Sequence, residues 1–279
     1  MNAVWARVVV GAVMTGSVVA SPSASMASAV PSIVAAATAP GGPIRVLVVG
    51  DSLTAQSEPA ARALVADMGN PVALTVRAVP GSGLLTGFDW IGELDRLVTG
   101  TNPQIIVAEF IGNYFPPYLH DPDGQTVSPG SPAFYEAWAT RTRDAMTVMT
   151  RGGATVFWVL GPDMRDPTLD TIRHGIDTIY RSQRQQWSST QFVDGYAALS
   201  PHGYVDTLPG RRGPETVRRD DGVHLTPAGA ERLVQSVAAA IATYETGSLA
   251  TADDRTPPIS RSAILRLTPA LQIRLNRCG

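Results

Sequence analysis

Short runs of apolar residues recur along the chain and constrain its fold more than any other feature. The four longest runs cover residues 46–49, 72–76, 105–110 and 155–160, and a shorter one covers 192–193. Runs of this length, without alternating polar residues, are typical of strands that are buried on both faces of a sheet. We therefore expect them to form the interior of a parallel sheet.

Segments with helical spacing separate these runs. Two segments repeat apolar residues at intervals of three and four (Phe134, Trp138, Ala145, Met149; then Leu169, Ile172, Ile176, Ile179). The clearest helix start is Thr226 as N-cap followed by Pro227, ahead of an apolar face that reaches Ile241. Strands alternating with helices predict an α/β domain over residues 44–245, with helices on both faces of the sheet.

The two ends of the chain differ in composition from this domain. Arg7, the apolar run 8–20 and the small residues Ala27-Ser28-Ala29 are typical of a secretory signal, so we expect a signal peptide over 1–29 and a linker over 30–43. Thirteen apolar residues are too few to span about 30 Å of hydrocarbon, which predicts no stable membrane span in the mature protein. An uncleaved anchor is the alternative. Residues 246–279 form a polar C-terminal tail.

Composition excludes several classes of partner. The 279 residues carry a net charge of −2 and no lysine, and no cluster of arginines is dense enough for nucleic acid. The single cysteine, Cys278, cannot form an internal disulfide. His120, His174 and His202 lack the spacing of metal ligands, so we predict neither a metal nor a cofactor. We expect an exported monomer, secreted or retained in the cell envelope.

Four polar motifs follow the predicted strands or precede the last helix. They are Gly50-Asp51-Ser52-Leu53, Gly81-Ser82-Gly83, Gly112-Asn113 and Asp221-Gly222-Val223-His224. Each alone is typical of a turn or a helix cap. Ligand sites of open parallel sheets lie outside the carboxyl ends of the strands, and a serine, backbone donors, an amide and an Asp-x-x-His pair are together what acyl transfer requires.

In these motifs the chain resembles the SGNH hydrolases, the GDSL branch of the serine esterases. The marker residues fall on Ser52, Gly83, Asn113 and His224, and the segment "DGVHLTPAGAERL" is similar to the last block of the family. The resemblance implies a three-layer α/β/α sandwich of flavodoxin type. It also implies a catalytic triad of Ser52, His224 and Asp221, with an oxyanion hole formed by Ser52, Gly83 and Asn113.

The third motif departs from the family pattern. Tyr114 follows Asn113 where the family commonly has aspartate, and we expect its side chain to point into the substrate cleft. Met164 and Arg165, in the segment after the fourth long run, are candidate substrate contacts. The Pro/Gly-rich segment 115–132 has a length typical of a lid or a substrate wall, with a surface insertion as the alternative. Its Phe115 and Tyr118 suggest apolar contacts.

These observations lead to three hypotheses about function. The first is an exported serine esterase that hydrolyses O-acyl esters of lipids or carbohydrates through an acyl-enzyme intermediate. The second is an O-acyltransferase or deacetylase acting on carbohydrate with the same triad. The third is a catalytically silent binding module, which would have no need of the serine, the asparagine and the Asp-x-x-His pair together.

Overall fold

A five-stranded parallel sheet forms the centre of the fold. The computed structural model describes residues 42–68, 72–114 and 119–251. The sheet comprises β1 (Ile44–Gly50), β2 (Val72–Ala78), β3 (Ile105–Glu109), β4 (Thr155–Leu160) and β5 (Thr190–Asp194), in the order β2-β1-β3-β4-β5. All neighbouring strands are parallel. The predicted α/β fold with a central parallel sheet is confirmed, and every apolar run lies in or overlaps a strand.

Helices cover both faces of this sheet. They are α1 (Ser52–Asp67), α2 (Trp90–Thr101), α3 (Pro132–Thr150), α4 (Pro167–Ser182), the short α5 (Gly195–Leu199) and α6 (Pro227–Thr251). Helices α1 and α6 pack together on one face, and α3 packs between α2 and α4 on the other. The result is a three-layer α/β/α sandwich with the flavodoxin-like strand order.

Contacts between aromatic side chains connect the sheet to the layer of helices α2, α3 and α4. Trp90 of α2 contacts Phe110 just after β3 with ring centroids 4.9 Å apart, and Trp158 of β4 lies 4.7 Å from Tyr180 of α4. The Tyr180 hydroxyl donates to the Phe110 carbonyl at 2.8 Å and accepts from the indole N–H of Trp138 at 3.0 Å. These two hydrogen bonds pair the polar groups of Tyr180 and Trp138, so both side chains can be buried without leaving those groups unsatisfied.

Two features of the sheet region differ from the sequence expectation. Strand β2 is an edge strand with mostly half-buried side chains, so it is not covered on both faces. Between α5 and α6 lies an antiparallel hairpin, β6 (Thr207–Gly210) and β7 (Gly213–Thr216), which the sequence pattern did not indicate. Its strands have four residues each and both contain proline, which weakens a strand signal.

The start of α6 agrees with the sequence analysis. The Thr226 hydroxyl accepts from the N–H of Gly229 at 3.2 Å, which confirms Thr226 as the N-cap and fixes the position of His224 two residues earlier. No described helix is long and apolar enough to cross a membrane. The predicted signal peptide, most of the linker, Phe115, Tyr118 and residues 252–279 lie outside the described residues.

Two neighbouring valines of β1 test the packing of the two helical layers. Val49 is fully buried on the α2–α4 side, whereas Val48 is half-buried on the α1/α6 side. Val49→Ala should lower the free energy of unfolding by about 2–3 kcal/mol, from lost methyl burial plus a cavity term. Val48→Ala should cost about 1 kcal/mol or less. Urea denaturation measures both, and equal losses would contradict the packing described here.

Candidate active site

The turn from β1 into α1 presents Ser52 at a helix N-terminus. Asp51 is the N-cap, and its Oδ1 accepts from the N–H of Leu53 at 2.9 Å. Gly50 allows the turn because a Cβ atom there would lie 2.2 Å from Thr54 Oγ1 and 2.3 Å from the Glu109 carbonyl. Ser52 is the first helical residue, and the first N–H groups of a helix have no intrahelical acceptor. At this position the N–H of Ser52 has no acceptor within the helix, so both the hydroxyl and the N–H can interact with a bound ligand.

The structure joins Ser52, His224 and Asp221 in one hydrogen-bond chain. His224 Nε2 lies 2.9 Å from Ser52 Oγ, and His224 Nδ1 lies 2.8 Å from Asp221 Oδ2. The other carboxylate oxygen, Asp221 Oδ1, accepts from the backbone N–H groups of His224 at 2.8 Å and Val223 at 2.9 Å. Both oxygens of Asp221 thus orient the imidazole, one through the ring and one through the backbone.

Hydrogen bonding keeps Asp221 ionised. Partial burial on its own would raise its pKa, but the N–H groups of His224 and Val223 and the His224 ring together lower the pKa to about 2. The Asp221 side chain is 48% exposed, so solvent also favours its charged form. A carboxylate that stays negative above about pH 2 can stabilise a protonated imidazole throughout the neutral range.

Two arginines brace the loop that carries Asp221 and His224. The backbone N–H of Arg165 donates to the carbonyl of Gly222 at 3.2 Å, and its guanidinium bonds to Asp206. Arg218 is buried and donates to the carbonyl of Val223 at 2.9 Å. Arg165 is exposed, so its assignment as a substrate contact stays a prediction. In the structure its guanidinium bonds to the Asp220 carbonyl in this loop and to Asp206 outside it.

Gln56 is a further supporting residue that the sequence analysis missed. Its Oε1 accepts from the N–H of Leu225 at 2.8 Å, which ties α1 directly to the residue after His224. Gln56 lies four residues after Ser52, so both side chains are on the same face of α1. That spacing is the signal by which Gln56 could have been found.

Tyr114 and Met164 lie in the core. Tyr114 is 1% exposed, and its hydroxyl donates to the Leu169 carbonyl at 2.9 Å. Met164 is 5% exposed and its sulfur lies 3.1 Å from the same hydroxyl. This placement corrects the expectation that the two side chains contact substrate, because the large apolar surface of each is buried and the polar group of the tyrosine is paired inside the protein.

Asn113 lies beside the serine turn with an unusual backbone. Its φ of +63° is in the left-handed region, which asparagine tolerates better than most residues. One N–H of its side-chain amide donates to the Ser82 carbonyl at 2.7 Å. Because an amide has two N–H groups, the second can serve a ligand.

Gly83 contributes packing in this conformation. A Cβ atom there would lie 3.1 Å from the Gly112 carbonyl and 3.4 Å from Asn113 Cβ, so a larger residue would require the Gly112–Asn113 backbone to shift slightly. Its N–H, expected in the oxyanion hole, donates to Thr86 Oγ1 at 3.0 Å. Gly83 therefore lies at the site, but its N–H is hydrogen-bonded to Thr86 in the same turn.

A surface depression of about 380 Å³ adjoins Asn113. Its walls mix apolar and polar groups: Val79, Pro80, Thr86, Gly87, Phe88 and Asn113. It lies where β2 and β3 end, at the same edge of the sheet as Ser52. A ligand in this depression would contact the Asn113 amide and the half-buried Phe88 side chain.

Two buried acids lie beneath the serine turn. Asp51 Oδ2 accepts from the N–H of Gly112 at 3.0 Å, and Glu109 Oε2 accepts from Thr54 Oγ1 at 2.7 Å. Burial raises the pKa of both carboxyls, and the nearby charge of Asp51 helps raise that of Glu109 to about 8. Asp51 accepts backbone hydrogen bonds that favour its charged form, so Glu109 is the acid that holds a proton at neutral pH.

The one group of described residues with ligand atoms close enough for a metal is Asp163, Asp170 and His174. The guanidinium of Arg173 already lies among them, with its NH2 nitrogen 2.8 Å from Asp163 and 2.9 Å from Asp170. The same nitrogen is 2.7 Å from His174 Nε2. A buried cation thus occupies the position that a metal would take, and these residues form an ion-pair cluster.

The chain belongs to a family described as "Protein of unknown function (DUF459)", whose model matches residues 45–240. This family is SGNH-like. No curated protein matches the sequence.

Solved structures share the fold at low sequence identity. The periplasmic domain of a lipopolysaccharide acetyltransferase from Salmonella ser. Paratyphi A is 13% identical, with a TM-score of 0.50, over 72% of this chain and 84% of that one. A carbohydrate esterase family 3 protein from Talaromyces cellulolyticus is 14% identical, with a TM-score of 0.50, over 72% and 97%. A GDSL-like lipase from Bacteroides thetaiotaomicron is 14% identical, with a TM-score of 0.45, over 72% and 88%. The fold is that of the SGNH hydrolases.

The buried acid Glu109 predicts a pH-dependent stability difference. Its pKa of about 8 exceeds the ordinary glutamate value of 4.5, so the folded state keeps a proton that the unfolded state loses. Its contribution to stability is therefore complete below about pH 4.5 and is lost as the pH rises through about 8. Glu109→Gln cannot titrate, so its stability relative to the wild type should rise across this range. Chemical denaturation at several pH values measures the difference in free energy of unfolding between the variant and the wild type. A difference that stays constant with pH would contradict the raised pKa of Glu109.

Proposed function

We propose that this protein is an exported serine esterase that hydrolyses O-acyl esters through an acyl-enzyme intermediate. The observation that carries the proposal is the unbroken hydrogen-bond chain from Ser52 through His224 to Asp221. A serine hydroxyl is a weak nucleophile unless an adjacent base takes its proton, and such a base works best when a third group fixes its tautomer. The distances from His224 to Ser52 and to Asp221 support both conditions.

The proposed reaction begins with attack by Ser52 Oγ on the ester carbonyl carbon. His224 Nε2 takes the hydroxyl proton, and Asp221 stabilises the imidazolium that forms. His224 then donates this proton to the departing alcohol oxygen, which leaves an acyl group on Ser52. In the second half, His224 takes a proton from water, the hydroxide adds to the acyl carbon, and Ser52 leaves with the proton returned by His224.

The oxyanion of each tetrahedral intermediate requires donors near Ser52. We assign this role to the N–H of Ser52 and to the second amide N–H of Asn113. The α1 N-terminus adds a favourable partial positive charge. Gly83, which the family resemblance places in the same hole, can join only when its N–H leaves Thr86 Oγ1.

The surroundings of the site favour an ester with an accessible polar part. The depression beside Asn113 combines Phe88 with polar groups, as suits an acyl group or a sugar ring. Two of the similar structures are a carbohydrate esterase and the periplasmic domain of a lipopolysaccharide acetyltransferase, which agrees with ester chemistry. Export rests on the signal-like residues 1–29, and the proposed reaction needs no cofactor.

Replacement of the nucleophile gives the first test of this proposal. Ser52→Ala should lower turnover of an activated short-chain ester by about a million-fold, because the loss of one triad member disables the whole unit. The folding temperature should change little, since Ser52 is half-buried and its hydroxyl bonds only to His224 among the bonds described. A spectrophotometric ester assay and thermal unfolding measure both.

The matched control is Ser182→Ala, at the exposed end of α4, where the hydroxyl donates to the Ile179 carbonyl. This variant should keep the activity of the wild type. If Ser52→Ala kept more than about a tenth of the activity, Ser52 would not be the nucleophile.

The second candidate function, O-acyl transfer to a sugar, shares the acyl-Ser52 intermediate and differs in the acceptor. The similarity to a lipopolysaccharide acetyltransferase domain supports O-acyl transfer as a second candidate function. The site adjoins an open depression, so we expect water to reach the intermediate. A transferase would exclude water and position the acceptor hydroxyl.

Partitioning of the intermediate separates the two functions. With an activated acetyl ester and millimolar sugar acceptor, an esterase should give free acid as the main product. Mass spectrometry measures acid and acylated sugar together. An excess of acylated sugar over acid, across several acceptors, would assign the chain to the acyltransferases.

A further inference from the structure

An apolar cavity of about 120 Å³ lies between the sheet and the pair of helices α1 and α6. Its walls are almost entirely aliphatic, with Val46, Val48, Leu64, Val76, Val237 and Ile241 among them. None of Ser52, Asn113, Asp221 or His224 lines it, so it is separate from the candidate active site. A dry apolar cavity of comparable size, about 150 Å³, can bind a small apolar molecule.

Two buried polar atoms without partners distinguish this cavity from a packing defect. Glu109 is 4% exposed and Ser57 is 8% exposed, and both line the cavity. Glu109 Oε1 and Ser57 Oγ have no hydrogen-bond partner among the described residues. Buried polar atoms are rarely left unpaired, because each loses its bonds to water on folding. The pair therefore indicates a ligand with a polar group at this end of the cavity.

The charges around the cavity define that polar group. The titratable side chains in its lining are Glu58 and Glu109, with the buried Asp51 just beyond them, and no arginine or histidine lines it. An anionic head would be repelled, and nothing in the lining would pair with it. A hydroxyl can accept from the protonated carboxyl of Glu109 at Oε1 and donate to Ser57 Oγ.

The shape of the cavity defines the rest of the ligand. Along α1 its lining extends from Thr54 to Met68, a helical rise of about 21 Å. The polar pair is at the Thr54 end, and the lining towards Met68 and Val72 is aliphatic. This arrangement suits an unbranched hydrocarbon chain with one polar end.

We propose that this cavity binds a neutral straight-chain alcohol, with its hydroxyl between Ser57 and Glu109 and its chain between α1 and α6. The site does not depend on the esterase reaction proposed above. Binding would stabilise the folded chain whether or not Ser52 is a nucleophile.

Titration calorimetry on the full chain with 1-butanol, 1-hexanol and 1-octanol tests this site. Affinity should rise about fourfold for each added methylene, as expected for burial of hydrocarbon. Octanoate at pH 7 should bind at least about tenfold more weakly than 1-octanol, because its head is charged. Each alcohol that binds should also raise the unfolding temperature.

A matched pair of variants locates the binding. Ala61 lines the cavity, whereas Ala63, on the same helix, is exposed and does not. Ala61→Trp should weaken 1-octanol binding by about tenfold or more, and Ala63→Trp should leave it unchanged. Should Ala61→Trp not fold, the smaller Ala61→Leu replaces it, with the same direction expected.

Three results would overturn the proposal. The first is no detectable binding of any of the alcohols. The second is equal binding of octanoate and 1-octanol, or equal weakening by the two tryptophan variants. The third is a wild-type dimer in sedimentation analysis that Ala61→Trp dissociates, which would show that a second copy of the chain covers this cavity.

Discussion

The buried carboxylate of Asp51 is the interaction on which the site depends. Its two oxygens accept from Leu53 at the start of α1 and from Gly112 in the loop after β3. These two loops leave neighbouring strands, β1 and β3, at the point where the order of the sheet reverses direction. One side chain therefore fixes the serine turn relative to the loop that carries Asn113.

This arrangement carries an electrostatic cost that the neighbours offset. Burial raises the pKa of the Asp51 carboxyl, and the backbone N–H groups around it oppose this rise because they favour its charged form. A second full charge on Glu109 would raise that cost, which agrees with Glu109 holding its proton at neutral pH. By contrast, Asp221 is half-exposed and ionised, so the two aspartates serve different purposes: one shapes the turn and the other polarises His224.

The sequence predicted most of the fold because its strands are strongly apolar and its last helix has a clear cap. It also placed Ser52 and Asn113 at one sheet edge, since parallel strands bring their carboxyl ends together, whereas Asp221 and His224 were assigned to the site from the family resemblance. The sequence did not predict the features that depend on tertiary contacts. Nothing local shows that Tyr114 turns inward to bond a distant carbonyl, or that Thr86 takes the N–H of Gly83. The β6–β7 hairpin was missed because four-residue strands with proline carry little pattern.

The central claim is that His224 and Asp221 activate the hydroxyl of Ser52. A fluorophosphonate reacts with activated serines and leaves a stable adduct, which peptide mass spectrometry locates. We expect a single adduct, on Ser52, that disappears in a folded His224→Ala variant. An adduct on another serine, or an equal rate of labelling of Ser52 without His224, would contradict it.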